Sequence, residues 1–183
     1  IAVDKYDNIY VADSWNHRVQ KFDLLGNHIE TFGSYGEGEG ELNEPYDIMV
    51  EDCGNILVVE RYNHRIQWFS PEGKSLGWIG QRGTVLEEHL AYLYETSANL
   101  FSTPAFEFPT SIGTDSLGNY FITDSGNHRI VKFNKNWRRV LTFGERGEED
   151  GQFQYPLCVS IGRNDLLYVS DLNNNRIQIF SPF

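Results

Sequence analysis

The sequence is poor in several things. It has two cysteines, Cys53 and Cys158, and one methionine among 183 residues. Two cysteines cannot build a disulfide framework. They fall in different, non-adjacent units of the repeat described below, so both are expected to be free, and they do not settle the compartment. Long apolar runs are also missing. The longest purely aliphatic stretch is Ile56-Leu57-Val58-Val59, far short of a membrane span. Positive charge is scarce, with 15 Lys and Arg against 26 Asp and Glu and a net charge of −11. Such a chain repels phosphate, so nucleic acid is not expected as a partner, and the basic residues read as scattered. No nucleophile elbow, phosphate-binding loop or dinucleotide fingerprint is present, nor any His-x3-His or Cys-x2-Cys spacing. Neither a cofactor nor a metal is expected.

Apolar residues suffice for a sizeable core: 40% of the chain is hydrophobic and 14% aromatic. The sequence is also repetitive. Asn16-His17-Arg18 returns as Asn63-His64-Arg65, as Asn127-His128-Arg129 and, altered, as Asn174-Asn175-Arg176, at intervals of 47, 64 and 47 residues. The period is therefore 47, with 17 extra residues in the middle interval. Each triplet follows a β-rich segment closed by an acid, such as Ile9-Tyr10-Val11-Ala12-Asp13 or Ile56-Leu57-Val58-Val59-Glu60. Each precedes another β-rich segment, such as Val19-Gln20-Lys21-Phe22. Thr31-Phe32-Gly33, Trp78-Ile79-Gly80 and Thr142-Phe143-Gly144 align further on. Turn chemistry separates the segments, as in Ser116-Leu117-Gly118-Asn119 and Pro71-Glu72-Gly73-Lys74. Four short strands per period describe a propeller blade.

These residues resemble the NHL repeat family, named for an Asn-His-Leu motif that often reads Asn-His-Arg. The resemblance covers nearly the whole chain except roughly 84–108. It implies an all-β fold, a β-propeller of four-stranded antiparallel blades, usually six to a ring. Three complete units and a fourth that stops before its last strand give about four blades, so a closed ring needs further sequence. The expected division is 1–44, 45–83, 109–155 and 156–183, with an insertion at 84–108, all within one propeller domain or part of one.

The acid and the Arg recur together as Asp13 with Arg18, Glu60 with Arg65, Asp124 with Arg129 and Asp171 with Arg176. A hairpin between them sets the two opposite each other, and such cross-strand ion pairs in every unit read as frame rather than as a binding site. His17, His64 and His128 sit at one point of three different units, too far apart to share a zinc ion.

Strand order places the second-to-third and fourth-to-first connections on one rim. Function is expected there, on three departures from the repeat. Trp15 and Tyr62 occupy turns that carry Gly126 and Asn173 in the later units. Two connections are acidic, with Glu37, Glu39, Glu41 and Glu44 in one and Glu145, Glu148, Glu149 and Asp150 in the other. The insertion reads as a short amphipathic helix, with Thr84 and Glu87 as capping box and Leu86, Leu90, Leu93 and Tyr94 as apolar stripe. Phe101, Phe106 and Phe108 add apolar weight after it.

The candidate contact residues are Trp15, Tyr62, Leu86, Leu90 and Tyr94. The expected partner is another protein or a glycan, with oligomeric state and compartment left open, an extracytoplasmic one favoured. An enzymatic alternative, a metal-dependent lyase or hydrolase with an axial site, follows from the resemblance alone. Some NHL-like lyases hold metal through His residues near the axis, where this chain has Asp47, Ser111 and Cys158. Some animal NHL proteins bind RNA through a positive face, but this rim is negative.

Overall fold

A computed structural model describes residues 1–80, 85–86 and 105–182. The chain divides into two compact units, Ile1–Ala105 and Phe106–Phe183. The first holds two antiparallel sheets. One is β1 (Ala2–Val3), β2 (Ile9–Asp13), β3 (Arg18–Phe22) and β4 (His28–Phe32). The other is β5 (Pro45–Val50), β6 (Ile56–Glu60), β7 (Arg65–Phe69), β8 (Ser75–Gly80) and β9 (Val85–Leu86). The second unit repeats the plan with β10 (Pro109–Thr114), β11 (Tyr120–Asp124), β12 (Arg129–Phe133) and β13 (Arg139–Phe143), then β14 (Pro156–Ile161), β15 (Leu167–Asp171) and β16 (Arg176–Phe180). Every sheet is a meander in which sequence neighbours pair.

Turn chemistry explains the meanders. Between β1 and β2, Asp4 accepts hydrogen bonds from the backbone N–H of Tyr6 (2.8 Å) and Asn8 (2.9 Å) and from Asn8 Nδ2 (2.8 Å). Asp23 repeats this with Leu25 and Asn27, and Asp115 with Leu117 and Asn119. Each Asp offers four lone-pair sites to a turn whose backbone donors have no strand partner.

Within each unit, one sheet packs on the next. In the first, Tyr10, Val19 and Phe32 meet Ile48, Ile56, Val58 and Phe69. In the second, Phe121 and Ile130 meet Val159, Leu167 and Val169. β6 and β7 are buried along their whole length, so the strict alternation of a one-faced sheet disappears there. The connection between sheets adds an anchor to each cluster. Leu42 and Phe153 are fully buried, three residues before Pro45 and Pro156. Phe106 is equally buried, three before Pro109.

The insertion departs from the helical expectation where it is described. Val85 and Leu86 form a strand, with Leu86 opposite Gly77 and Val85 opposite Trp78. β8 presents an edge whose backbone groups need partners, and a short strand satisfies them. Leu90, Leu93 and Tyr94, with the remainder of 87–104, lie outside the described residues.

Candidate partner-binding rim

The recurring acid is a hydrogen-bond hub. Its strand register pairs it with the recurring Arg in all four sheets. The Arg Nε lies 2.8 Å from Asp13, 2.5 Å from Glu60, 2.7 Å from Asp124 and 2.9 Å from Asp171. The motif Asn donates to the same carboxylate, through Asn16 (2.9 Å), Asn63 (2.5 Å), Asn127 (3.0 Å) and Asn174 (2.8 Å). A backbone N–H arrives from the incoming connection as well, from Asn43 to Glu60 (3.1 Å), Glu107 to Asp124 (2.7 Å) and Gln154 to Asp171 (2.7 Å). An ionised carboxylate with several charge-assisted donors locks both the turn and the loop that precedes the sheet.

The rest of the triplet stitches neighbouring sheets together. Arg65 donates through Nη1 to the carbonyl of Glu37 (2.8 Å) and through Nη2 to those of Gly38 (2.9 Å) and Glu41 (2.8 Å). Arg176 does the same to Glu148, Glu149 and Gln152. The acidic connections therefore wrap their carbonyls around a guanidinium, whose planar fork of donors suits that task. His17 and His128 face the other way. The Nδ1 of each accepts a backbone N–H, from Glu44 and Tyr155 respectively, both at 3.1 Å. His17, His64, His128 and Asn175 all sit in the left-handed region, at φ between 50° and 55°. That conformation suits His or Asn far better than β-branched residues. Among the described residues, no three His, Cys, Asp or Glu side chains converge on one point.

Burial sets the carboxyl pKa values apart. The Arg18 hydrogen bond holds half-buried Asp13 below its ordinary value, outweighing desolvation. Burial pushes Glu60 and Asp124 above theirs, against the pull of their donors. Burial and the charge of Arg146 lower the His128 pKa, which keeps Nδ1 free to accept.

The first unit's rim carries aromatics on this frame. Trp15 is 90% exposed and Tyr62 50%. Sequence reasoning singled out those two and passed over their surroundings. Tyr35, 70% exposed, lies edge-on to His17 at 4.7 Å. Arg61 sets its guanidinium over Tyr46 (5.4 Å) and Tyr62 (5.6 Å), with Glu44 Oε1 at 3.6 Å from Nη1. Hydrogen bonds to backbone carbonyls tie the patch together: Arg61 N to Glu44 O (3.2 Å), Tyr62 N to Asn43 O (3.4 Å), and Ser14 Oγ to Pro45 O (2.5 Å). The second unit carries Gly126 and Asn173 where the first has Trp15 and Tyr62. The signal for Tyr35 was in the sequence, since Arg146 takes its place in the aligned acidic connection.

Leu86 is placed in β9 and Tyr94 and Leu90 lie outside the described residues, so only Trp15 and Tyr62 of the candidate contact residues are placed by their side chains. Asp47, Ser111 and Cys158 hold one register position in their inner strands, opposite Val59, Thr123 and Ser170. Both cysteines are free and exposed. Basic residues are not evenly scattered: Lys135, Arg138 and Arg139 are exposed together on the β12–β13 connection and the start of β13. No helix among the described residues is long and apolar enough to cross a membrane.

Repeated antiparallel meanders, each sealed by an acid–Asn–Arg hub and packed in pairs within each unit, define a β-propeller built of four-stranded antiparallel blades. The model of the NHL repeat matches residues 1–22, 106–133 and 153–180, so these three stretches of the chain carry NHL repeats. The "Protein brain tumor" of Drosophila melanogaster is 31% identical over 80 residues, 43% of this chain and 8% of that protein. The "Probable peptidyl-alpha-hydroxyglycine alpha-amidating lyase" of Caenorhabditis elegans is 32% identical over 85 residues, 44% of this chain and 24% of that protein. A solved streptogramin B lyase superposes on all of this chain with a TM-score of 0.62 and 13% identity, this chain spanning 53% of its length. At that identity the likeness concerns the fold alone. The chain thus spans a small part of these relatives and about half of the solved lyase.

Proposed function

We propose that this segment is a non-catalytic binding scaffold whose working surface is the rim of the first unit, with another protein as its partner. The observation that carries the reading is the departure of Trp15 and Tyr62 from the repeat. The frame residues recur in every blade because every blade needs them, whereas two exposed aromatics at one turn position occur in the first two blades only. A Trp exposed over nine-tenths of its surface gains nothing for folding and has its apolar area available to a partner. The lyase-type alternative finds less support in the residues. The inner-strand position that would face an axial site carries Asp47, Ser111 and Cys158 rather than His.

Affinity capture with mass-spectrometric identification tests the proposal, using the chain and its Trp15→Ala/Tyr62→Ala variant as baits. The partner held by the parent chain is expected to be lost from the variant while the melting temperature is unchanged. Equal retention of that partner by both baits contradicts the assignment to this rim.

A further inference from the structure

We infer that the edge of β4 and the β3–β4 turn form a second docking surface, which takes an extended aliphatic segment of another protein as an added strand of the sheet. The inference does not rest on the reading of the Trp15 and Tyr62 rim, because strand order puts the β3–β4 turn on the opposite rim.

The turn departs from the repeat. Its cap does not. Asp23 Oδ1 accepts the backbone N–H of Leu25 (2.9 Å) and Asn27 (2.8 Å). In the matching turns, Ser70 Oγ accepts those of Glu72 (3.2 Å) and Lys74 (3.3 Å), and Asn134 Oδ1 those of Asn136 (3.0 Å) and Arg138 (3.1 Å). Such a cap depends on the first side chain of the turn and makes no demand on the next two. Those two are Pro71-Glu72 and Lys135-Asn136 in the other turns, but Leu24-Leu25 here. Leu24 and Leu25 are 67% and 86% exposed, and Ile29, the second residue of β4, is 48% exposed. These aliphatic side chains add little to the core and keep their apolar area for a partner. The turn is also fixed before a partner arrives. Asn27 Nδ2 donates to Asp23 Oδ2 (2.8 Å), and Gly26 N donates to the Asp23 carbonyl (3.0 Å). A fixed turn limits the entropy lost on binding.

The strand beside the turn says what form the partner takes. Among the described residues, β4 is the last strand of its sheet. An edge strand turns alternate N–H and C=O groups away from its neighbour, ready to pair with another chain. The sister sheet of the same unit shows this edge in use. There β8 stands in the place of β4, and β9 pairs with it, Leu86 opposite Gly77 and Val85 opposite Trp78. Counting back from Gly33 and Gly80, Glu30 and Thr31 hold those two positions in β4. A short aliphatic strand is thus what this edge of a blade accepts. At β4, main-chain hydrogen bonds supply affinity, and Leu24, Leu25 and Ile29 supply apolar contact. The net charge of −11 on each copy opposes the pairing of two such chains and favours a strand from another protein.

The test is titration of the nitrogen-15-labelled chain with acetyl-Lys-Thr-Val-Leu-Thr-Lys-amide, which sets the Val-Leu pair of β9 between soluble ends. Saturable shifts are expected in the amide resonances of Leu24, Leu25 and His28–Phe32. The same peptide N-methylated at Val and Leu, which cannot donate from those amides, is expected not to bind. Leu24→Ser/Leu25→Ser should weaken binding roughly three- to tenfold, the scale of an aliphatic side chain partly removed from water. Its amide spectrum away from the turn should match the parent, showing that the fold is kept. Trp15→Ala/Tyr62→Ala should bind the peptide as the parent does. Absence of shifts in β4, equal binding of the N-methylated peptide, an unaffected Leu24→Ser/Leu25→Ser protein, or loss of the peptide from Trp15→Ala/Tyr62→Ala overturns the inference.

Discussion

The four copies of one ion pair are not equally buried. Glu60 and Arg65 are buried almost completely, whereas the side chains of Asp13 and Arg18 keep 21% and 39% of their surface. Removing Arg65 leaves a buried carboxylate without its charge partner and takes one donor from each of three carbonyls. Arg65→Ala is therefore expected to cost about 3–5 kcal/mol. Arg18→Ala, at a screened site, should cost about 1 kcal/mol or less. Urea unfolding of the two variants checks the ranking. The histidines give a pH signature. The His128 pKa is depressed from its ordinary 6.5, so the unfolded chain takes up that proton more readily than the folded one. Its contribution to stability is complete above pH 6.5 and is lost as the pH falls through the depressed value. A loss of stability beginning below pH 6.5 should appear in the parent chain and shrink in His128→Asn. Asn suits the backbone there, as Asn175 shows at φ 50° in the last blade.

The blade is the level at which the sequence was most legible. Register follows from the Asp-x4-Arg spacing, because a fixed four-residue turn leaves only one pairing of acid with Arg. The anchor in the connections was equally present, with Leu42, Phe106 and Phe153 at intervals of 64 and 47 residues, yet it stands outside any strand and was overlooked. The insertion was misread at Val85 and Leu86. Helical periodicity and a capping box describe what a segment does alone, and the open edge of β8 offered it more. The aromatic patch was half legible, since Tyr35 and Arg61 acquire meaning only when the loops fold together. The glycine that closes each outer strand carries a prediction. Gly144 has φ +91°, and a Cβ there would stand 2.5 Å from the Phe153 ring. Gly144→Ala should cost about 1–3 kcal/mol from backbone strain alone. Phe153→Ala should cost about 3–5 kcal/mol, through the cavity left between two sheets. Thermal unfolding of each measures both.

At the scale of the whole molecule, frame and function separate. The acid, Asn and Arg of the blades, with His17 and His128, spend hydrogen bonds on one another and on the adjoining connections. What the frame leaves exposed is uneven, with aromatics and acids on the first unit's rim and basic residues on the β12–β13 connection of the second. Change on the rim is expected to leave the fold intact, whereas change in the hubs costs stability first. The decisive measurement is partner capture by Trp15→Ala/Tyr62→Ala, at a temperature where calorimetry shows the variant and the parent equally folded. The account predicts that the partner is lost from this variant at unchanged stability. Full retention of the partner would contradict it.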